Sequence, residues 1–210
     1  MSETRRRRRP FIIHEPAAWA GLLAASFGLA FMAFFAGPVR AQSDDRNVIE
    51  LAGARIVGTR PLGVADTDLL SQLHLANQAQ IDAAQLALAR ALDPAMRVYG
   101  QELVTTHSIV DAKIQELASA RGAKLEELAP QGAREHRREE AEHHASMNEL
   151  GVSAGHDFDQ HFAHLTVRIQ RDALAAAEAR LETTVDEDVA QLLGQLVPIL
   201  RRQLAAAEVF

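Results

Sequence analysis

The sequence predicts an all-α fold in which four long helices form a bundle behind an N-terminal export segment. Alanine and leucine are abundant while aromatic residues make up 5% of the chain, a composition that favours helix over sheet. Apolar residues recur at three- and four-residue steps over four long stretches. Short turns join these stretches in pairs, so the two helices of each pair must lie antiparallel.

Residues 1–41 are predicted to be a signal peptide. The arginines Arg5 to Arg9 precede a charge-free apolar run over residues 17–36, which Gly37-Pro38 then ends. Val39 and Ala41 supply the small residues of a cleavage site, so we expect cleavage after Ala41. The alternative is an uncleaved membrane anchor, because the apolar run is just long enough to span a bilayer. In both cases the positive flank stays in the cytoplasm and the rest of the chain is exported, periplasmic or membrane-associated.

The charge of the chain argues against a nucleic-acid partner. Its net charge is -6, but residues 1–41 hold six of the 22 basic residues and two of the 28 acidic residues. The remaining chain therefore carries a charge of -10, whereas contact with phosphates requires a basic surface. The chain has no cysteine, so disulfides and thiolate chemistry are excluded.

Residues 42–65 are predicted to be a flexible tether with one short ordered piece around Val48 to Leu51. Glycines and a proline interrupt this segment, and no helical period persists through it. The bundle domain is then expected to cover residues 66–210.

The first helix pair is predicted to run from Asp66 to Gly122. Either Asp66 or Thr67 can cap the first helix. Asp93 and Pro94 separate the pair, with Asp93 as the N-cap of the second helix and Pro94 at its first position. Gly122 is a natural stop for the second helix.

The second helix pair follows a long crossover over residues 123–155, which contains a shorter charged helix over residues 133–150. The third long helix begins after Gly155, and Asp186 caps the fourth. Pro198 lies inside the fourth helix and is expected to kink it, because it removes one backbone hydrogen bond. Two hairpins joined by one long crossover form the ferritin-like connectivity, so we predict a ferritin-like four-helix bundle preceded by the signal or anchor helix.

Four short segments carry a family resemblance. They are DTDLL over 66–70, VTTH over 104–107, GHDFD over 155–159 and LVP over 196–198. The most specific feature is Phe158-Asp159 followed by an aromatic residue at position 162. Over about residues 66–208 the chain resembles the bacterial family called domain of unknown function 4142. The resemblance implies an exported or outer-membrane protein with a ferritin-like bundle, and it brings no settled activity.

The same resemblance implies an interior polar set formed by Gln80, His107, Gln170 and Gln203. At the matching positions the family pattern tends to have an acid in the first helix and histidines in the other three. Here only His107 is a good ligand for a transition metal, because glutamine lacks both the negative charge and the imidazole donor. We therefore expect a buried hydrogen-bond layer that determines helix register. A degenerate metal or ligand site is the alternative.

Histidines are concentrated on the crossover and the start of the third long helix. Six of the nine histidines lie between residues 136 and 164. The candidate ligands for a divalent transition metal are His136, His143, His144, His161 and His164, with His107 in the interior. The alternative is a solvated helix in which glutamates and arginines alternate with the histidines. Because the spacing closes no defined site, we predict no cofactor and assign no metal ligand.

The sequence has no motif typical of an active site. Gly-x-Ser-x-Gly, a phosphate-binding glycine loop and His-Glu-x-x-His are all missing. A di-iron centre needs Glu-x-x-His on two helices, and this spacing occurs once, from Glu140 to His143. The carboxylates of Glu102, Asp111 and Asp172 are expected to be solvated surface charge.

These observations predict an exported, non-enzymatic helical bundle. It would bind an unknown protein or envelope partner, or take part in the response to envelope stress. It would contact the membrane through its N-terminal segment if that segment is not cleaved. The alternative function is metal binding or metal buffering by the histidine-rich crossover, residues 136–164.

Overall fold

The structure, a computed structural model, describes residues 41–125 and 132–210. Regular structure within these residues consists of α1 (Ala41–Gly53), α2 (Val64–Arg90), α3 (Pro94–Ala120), α4 (Gly132–Val152), α5 (Gly155–Leu181) and α6 (Glu187–Ala207). Residues 1–40 of the signal or anchor predicted over residues 1–41 lie outside the described residues. Within the described ranges, no helix has the length and apolar character needed to cross a bilayer.

Two helix pairs form the body of the fold. Helix α2 packs along α3, and α5 packs along α6, while α2 also packs along α5 and so joins the two pairs. The crossover helix α4 lies against both α2 and α5. The predicted all-helical bundle is therefore confirmed.

Local capping residues set several of the helix boundaries. The Asp93 side chain accepts a hydrogen bond from the Ala95 N–H at 2.7 Å, and the Asp186 side chain accepts one from the Val189 N–H at 3.3 Å. Gly122 follows α3 with a φ of 65°, a conformation that glycine adopts without strain. Helix α6 continues through the internal proline from Glu187 to Ala207.

The start of α2 differs from the prediction. The helix begins at Val64 with Gly63 as its N-cap, so neither of the two expected residues caps it. The Asp66 carboxylate is buried and instead accepts hydrogen bonds from Arg180 Nε at 2.7 Å and Thr184 Oγ1 at 3.0 Å. A tertiary ion pair with the end of α5 thus replaces the local cap.

The segment over residues 42–65 also differs from the predicted flexible tether. Its first half is α1, which packs against α6 and α3 and buries Leu51 completely. Its second half lies along the bundle, where Lys113 Nζ donates to the Ala54 carbonyl and Arg121 Nε donates to the Arg60 carbonyl. The sequence pattern missed this docking because the partners come from α3 and from the residue that follows it, about 60 residues away.

A buried carboxylate holds the second half of that segment. Asp188 Oδ1 accepts from the Val57 N–H at 2.9 Å, and Asp188 Oδ2 accepts from the Gly58 N–H at 2.8 Å. Arg121 bonds the same carboxylate and that of Asp186. A Cβ at Gly58 would come within 2.1 Å of Arg121 Nη1, so the ion pair leaves room only for glycine.

The apolar core consists of two clusters at different heights along the bundle. The lower cluster, which includes Leu51, Leu70, Ile114, Leu193 and Leu196, also receives α1. The upper cluster includes Tyr99, Leu103, Phe158 and Phe162. Polar side chains occupy the level between them.

Candidate functional site

A buried polar layer crosses the bundle between the two apolar clusters. On each of the four long helices, polar residues fall between the residues of the lower and upper clusters. The members are Asn77 and Gln80 on α2, Thr106 and His107 on α3, Thr166 and Gln170 on α5, and Gln203 on α6. None is more than 5% exposed. The four residues of the predicted interior set therefore lie together in one layer.

Hydrogen bonds join three of the helices through His107. Its Nδ1–H donates to Asn77 Oδ1 at 2.7 Å, and its Nε2 accepts from Gln170 Nε2 at 2.9 Å. Gln170 Nε2 also donates to Gln203 Oε1 at 3.2 Å, which extends the network to the fourth helix. Each helix is thereby held at one register relative to the others, because a shift along any axis would break these bonds.

The imidazole of His107 is neutral at pH 7. Burial lowers its pKa to about 4, because the charged form would lose its hydration, and the hydrogen bond with Gln203 and the charge of Asp111 offset only part of this cost. The neutral ring has one donor and one acceptor nitrogen, and both are used. No lone pair of this ring is therefore available to a metal without breaking a hydrogen bond.

Several amide atoms of the layer have no protein partner. They include Asn77 Nδ2, Gln170 Oε1 and Gln203 Nε2. If the oxygen and nitrogen of all three amides are exchanged and the ring proton of His107 moves to the other nitrogen, every hydrogen bond of the network reverses its direction. Three amide atoms are again unpaired. The pairing is thus equally incomplete in both orientations of these groups. Internal water commonly pairs such atoms in protein interiors.

A groove lies outside this layer, where α4 crosses the seam between α2 and α5. Its volume is about 360 Å³, and it is lined by α2 between Gln72 and Asp82, by α4 between Glu140 and His144, and by α5 between Leu165 and Ala176. Its floor is apolar and includes Leu73, Ala76, Ala79, Ile169, Ala173 and Ala176. A concave apolar surface of this size with a few polar groups is typical of small-ligand sites.

The rim of the groove is charged. Asp82, Glu140, Glu142 and Asp172 provide four carboxylates, and Arg168 provides one guanidinium. His143 Nε2 lies 3.8 Å from Asp82 Oδ2, and burial is the main factor that lowers the pKa of His143. The rim is therefore negative at neutral pH.

The histidines of the crossover do not converge on one point. His143 and His144 lie side by side, with ring centroids 5.9 Å apart. His161 is engaged elsewhere, because its Nδ1 is 2.6 Å from Ser153 Oγ and its Nε2 is 3.7 Å from Glu149. His164 is exposed on α5. Within 41–125 and 132–210, no three His, Asp or Glu side chains are close enough together to hold a metal ion. The side chain of the remaining candidate, His136, lies outside the described part.

The comparison with known families decides the relationship that the sequence segments suggested. A family model described as "Domain of unknown function (DUF4142)" matches residues 54–209, which is most of the chain. The chain belongs to DUF4142. The match begins in the segment that docks on the bundle, 12 residues before the predicted start at residue 66. The DUF4142 unit thus includes part of what we had predicted to be a tether.

A solved structure supports the fold of this DUF4142 chain. It is described as a DUF305 fragment from Deinococcus radiodurans and is 17% identical, with a TM-score of 0.59. The alignment covers 70% of this chain and 95% of that chain. At this identity the likeness concerns the fold alone. No curated protein matches the chain.

Asp111 of this DUF4142 chain differs from the prediction. We predicted a solvated surface charge, but this carboxylate is 4% exposed. It accepts hydrogen bonds from Gln78 Nε2 and Gln115 Nε2, each at 2.7 Å, and lies 2.6 Å from His74 Nδ1. Two of these partners are on α2, so the helical period of α3 alone could not reveal them.

Proposed function

We propose that this protein is an exported, non-enzymatic binding protein of the bacterial cell envelope, and that its ligand occupies the groove between α2, α4 and α5. The proposal rests on one observation. The groove combines a volume of about 360 Å³ with an apolar floor and a charged rim. This combination matches the usual size and lining of small-ligand pockets.

The buried polar layer is a less suitable binding site than the groove. Its members are at most 5% exposed, and both ring nitrogens of His107 are bonded within the protein. A buried imidazole whose two ring nitrogens are both hydrogen-bonded within the protein is not positioned to transfer a proton to a substrate. We assign this layer to maintaining the register of a ferritin-like bundle, while the groove beside it binds the ligand.

Export is proposed because the sequence predicts a signal peptide. A binding role is proposed because the sequence contains no catalytic motif. A small groove on a stable bundle suits a protein that sequesters or carries a compound in the envelope. Such a role also accommodates an envelope-stress component, because sequestering a harmful compound is itself protective.

A dye-binding experiment tests the groove. Nile red, a neutral apolar dye, is titrated into the purified exported protein and its fluorescence is recorded. Leucine at the floor residue Ala176 should fill the groove and raise the Kd about tenfold or more, which corresponds to a loss of about 1.4 kcal/mol. The matched control is Ala175→Leu, at the exposed neighbour on α5 that does not line the groove. Equal Kd values for Ala176→Leu and Ala175→Leu would refute this function.

One observation favours the alternative function, metal binding by the crossover. His143 and His144 have ring centroids 5.9 Å apart, and Asp82 lies within 3.8 Å of His143 Nε2. These three groups could begin to form a site for a divalent transition metal if α4 moved toward α2. The elemental analysis proposed in the Discussion separates this function from ligand binding.

A further inference from the structure

We propose that the ligand of the groove is an amphiphilic cation, which places an alkyl or similar apolar body on the floor and an amine or quaternary ammonium head against the carboxylate rim. This inference rests on the proposed function, because it names the chemical class of the compound that the groove binds.

The dimensions of the groove indicate a small molecule. Its volume of about 360 Å³ lies near the lower end of the range of about 300–1,000 Å³ for small-ligand pockets. A folded protein partner would instead need about 800 Å² of contact surface on each side. The floor side chains are aliphatic, so they can contact a flexible chain without requiring polar groups along its length.

The rim determines the sign of the charge on the head group. Its carboxylates come from three different helices, with Asp82 on α2, Glu140 and Glu142 on α4, and Asp172 on α5. Glu142 Oε1 lies 3.6 Å from Arg138 Nε in an exposed ion pair, but the lining still holds four carboxylates and one guanidinium, so a cation above the floor faces an excess of negative charge. The carboxylates of Asp82 and Glu142 remain more than half exposed, so water can be exchanged for a ligand head.

The positive groups of the rim oppose a cationic ligand only weakly. Arg168 is exposed and uses Nη2 to donate to Ser146 Oγ at 2.6 Å, which directs this group toward α4. Burial lowers the pKa of His143, which disfavours the charged ring that would otherwise balance the Asp82 carboxylate 3.8 Å away. An anionic head would meet four carboxylates and one guanidinium that is already hydrogen-bonded.

The experiment compares three probes that share one alkyl chain. Dodecyltrimethylammonium, dodecyl maltoside and dodecanoate are cationic, neutral and anionic, and each is titrated below its micelle concentration by calorimetry at pH 7.5. The exported protein is used without a tag. We expect the cation to bind at least about tenfold more tightly than the neutral probe, since several partly exposed charges each contribute up to a few-fold.

Charge variants show whether the groove causes this preference. Asp82→Asn/Asp172→Asn removes two of the four carboxylates, so it should reduce the preference for the cation at least about threefold and leave binding of the neutral probe unchanged. The matched control is Glu50→Gln/Glu182→Gln, which removes two exposed carboxylates outside the groove. Equal losses in the two double variants would overturn the inference, because the preference would then reflect the acidic surface as a whole.

The outcomes also separate this inference from the function on which it rests. Equal binding of all three probes, abolished by Ala176→Leu, would overturn the cationic class and keep the groove as a binding site. Tighter binding of dodecanoate than of the cationic probe, if Ala176→Leu abolishes it, would also overturn the cationic class and keep the groove as a binding site. Failure of all three probes to bind would overturn the class and the proposed function together. Circular dichroism of each variant identifies any loss of helix that would itself weaken binding.

Discussion

Acidification should destabilise this protein through one buried histidine. His107 is 2% exposed and neutral, with Nδ1 donating to Asn77 and Nε2 accepting from Gln170. Protonation would add a charge to a ring that has no carboxylate among its hydrogen-bond partners and would convert the acceptor Nε2 into a donor. It would therefore disrupt the layer that joins the four long helices.

The size of the effect follows from the difference in pKa between the two states. Burial lowers the pKa of His107 from 6.5 to about 4 in the folded protein. Because the unfolded chain binds the proton more tightly, the free energy of unfolding falls as the pH falls from 6.5 toward 4 and is highest above 6.5. Each pKa unit corresponds to about 1.36 kcal/mol, so the full loss is about 3 kcal/mol. About 2 kcal/mol of this is lost between pH 7 and pH 5.

Urea unfolding at pH 7 and pH 5, followed by circular dichroism at 222 nm, measures this loss. His107→Gln removes the titrating ring and keeps a polar side chain in the layer, so its loss of stability should be smaller than that of the unsubstituted protein by about 2 kcal/mol. His164→Gln, at an exposed histidine on α5, is the control and should behave like the unsubstituted protein. An equal loss of unfolding free energy between pH 7 and pH 5 in the unsubstituted protein and in the His107→Gln variant would refute the reasoning.

Three further predictions concern the remaining features of the chain. Arg121→Met should lower the free energy of unfolding by about 3–5 kcal/mol, since it leaves Asp188 buried without its charged partner. A decrease below about 1 kcal/mol, measured by urea unfolding, would contradict this. The mature exported protein should begin at Gln42 by intact mass, whereas a mass that includes the apolar segment would indicate an anchor. Elemental mass spectrometry of protein purified without a tag or chelators should find no stoichiometric metal, because both ring nitrogens of His107 are already bonded. Stoichiometric metal that is lost in His143→Ala/His144→Ala would instead establish the alternative function.

The bundle could be predicted because the residues that begin and end its helices act on their near neighbours in the chain. The turn at Asp93-Pro94, the cap at Asp186 and the stop at Gly122 each act within a few residues, and the structure has all three. Helical periodicity likewise identified the face on which His107 is buried. These features depend on near neighbours in the chain, so one sequence suffices to find them.

The errors share a different physical cause. Asp66 looked like a cap, Asp111 looked like surface charge, and residues 42–65 looked like a tether. In each case polar partners distant in sequence bury the group or the segment: Arg180 for Asp66, α2 for Asp111, and Asp188 for the tether. A helical pattern records which face is apolar, but it does not record which charged residue of another helix will face a given carboxylate.

By itself, the sequence determined the helix boundaries at Asp93-Pro94, Gly122 and Asp186, because turn and cap residues act locally. The resemblance carried by its short segments implied the family and the polar interior set. Only the tertiary structure decided that the layer lies between two apolar clusters and that the segment before α2 docks on the bundle. It also formed the groove, whose floor and rim come from helices that are up to about 100 residues apart in the chain. The physical reason is that a concave site depends on the distances between helices, and those distances are set by packing and long-range ion pairs.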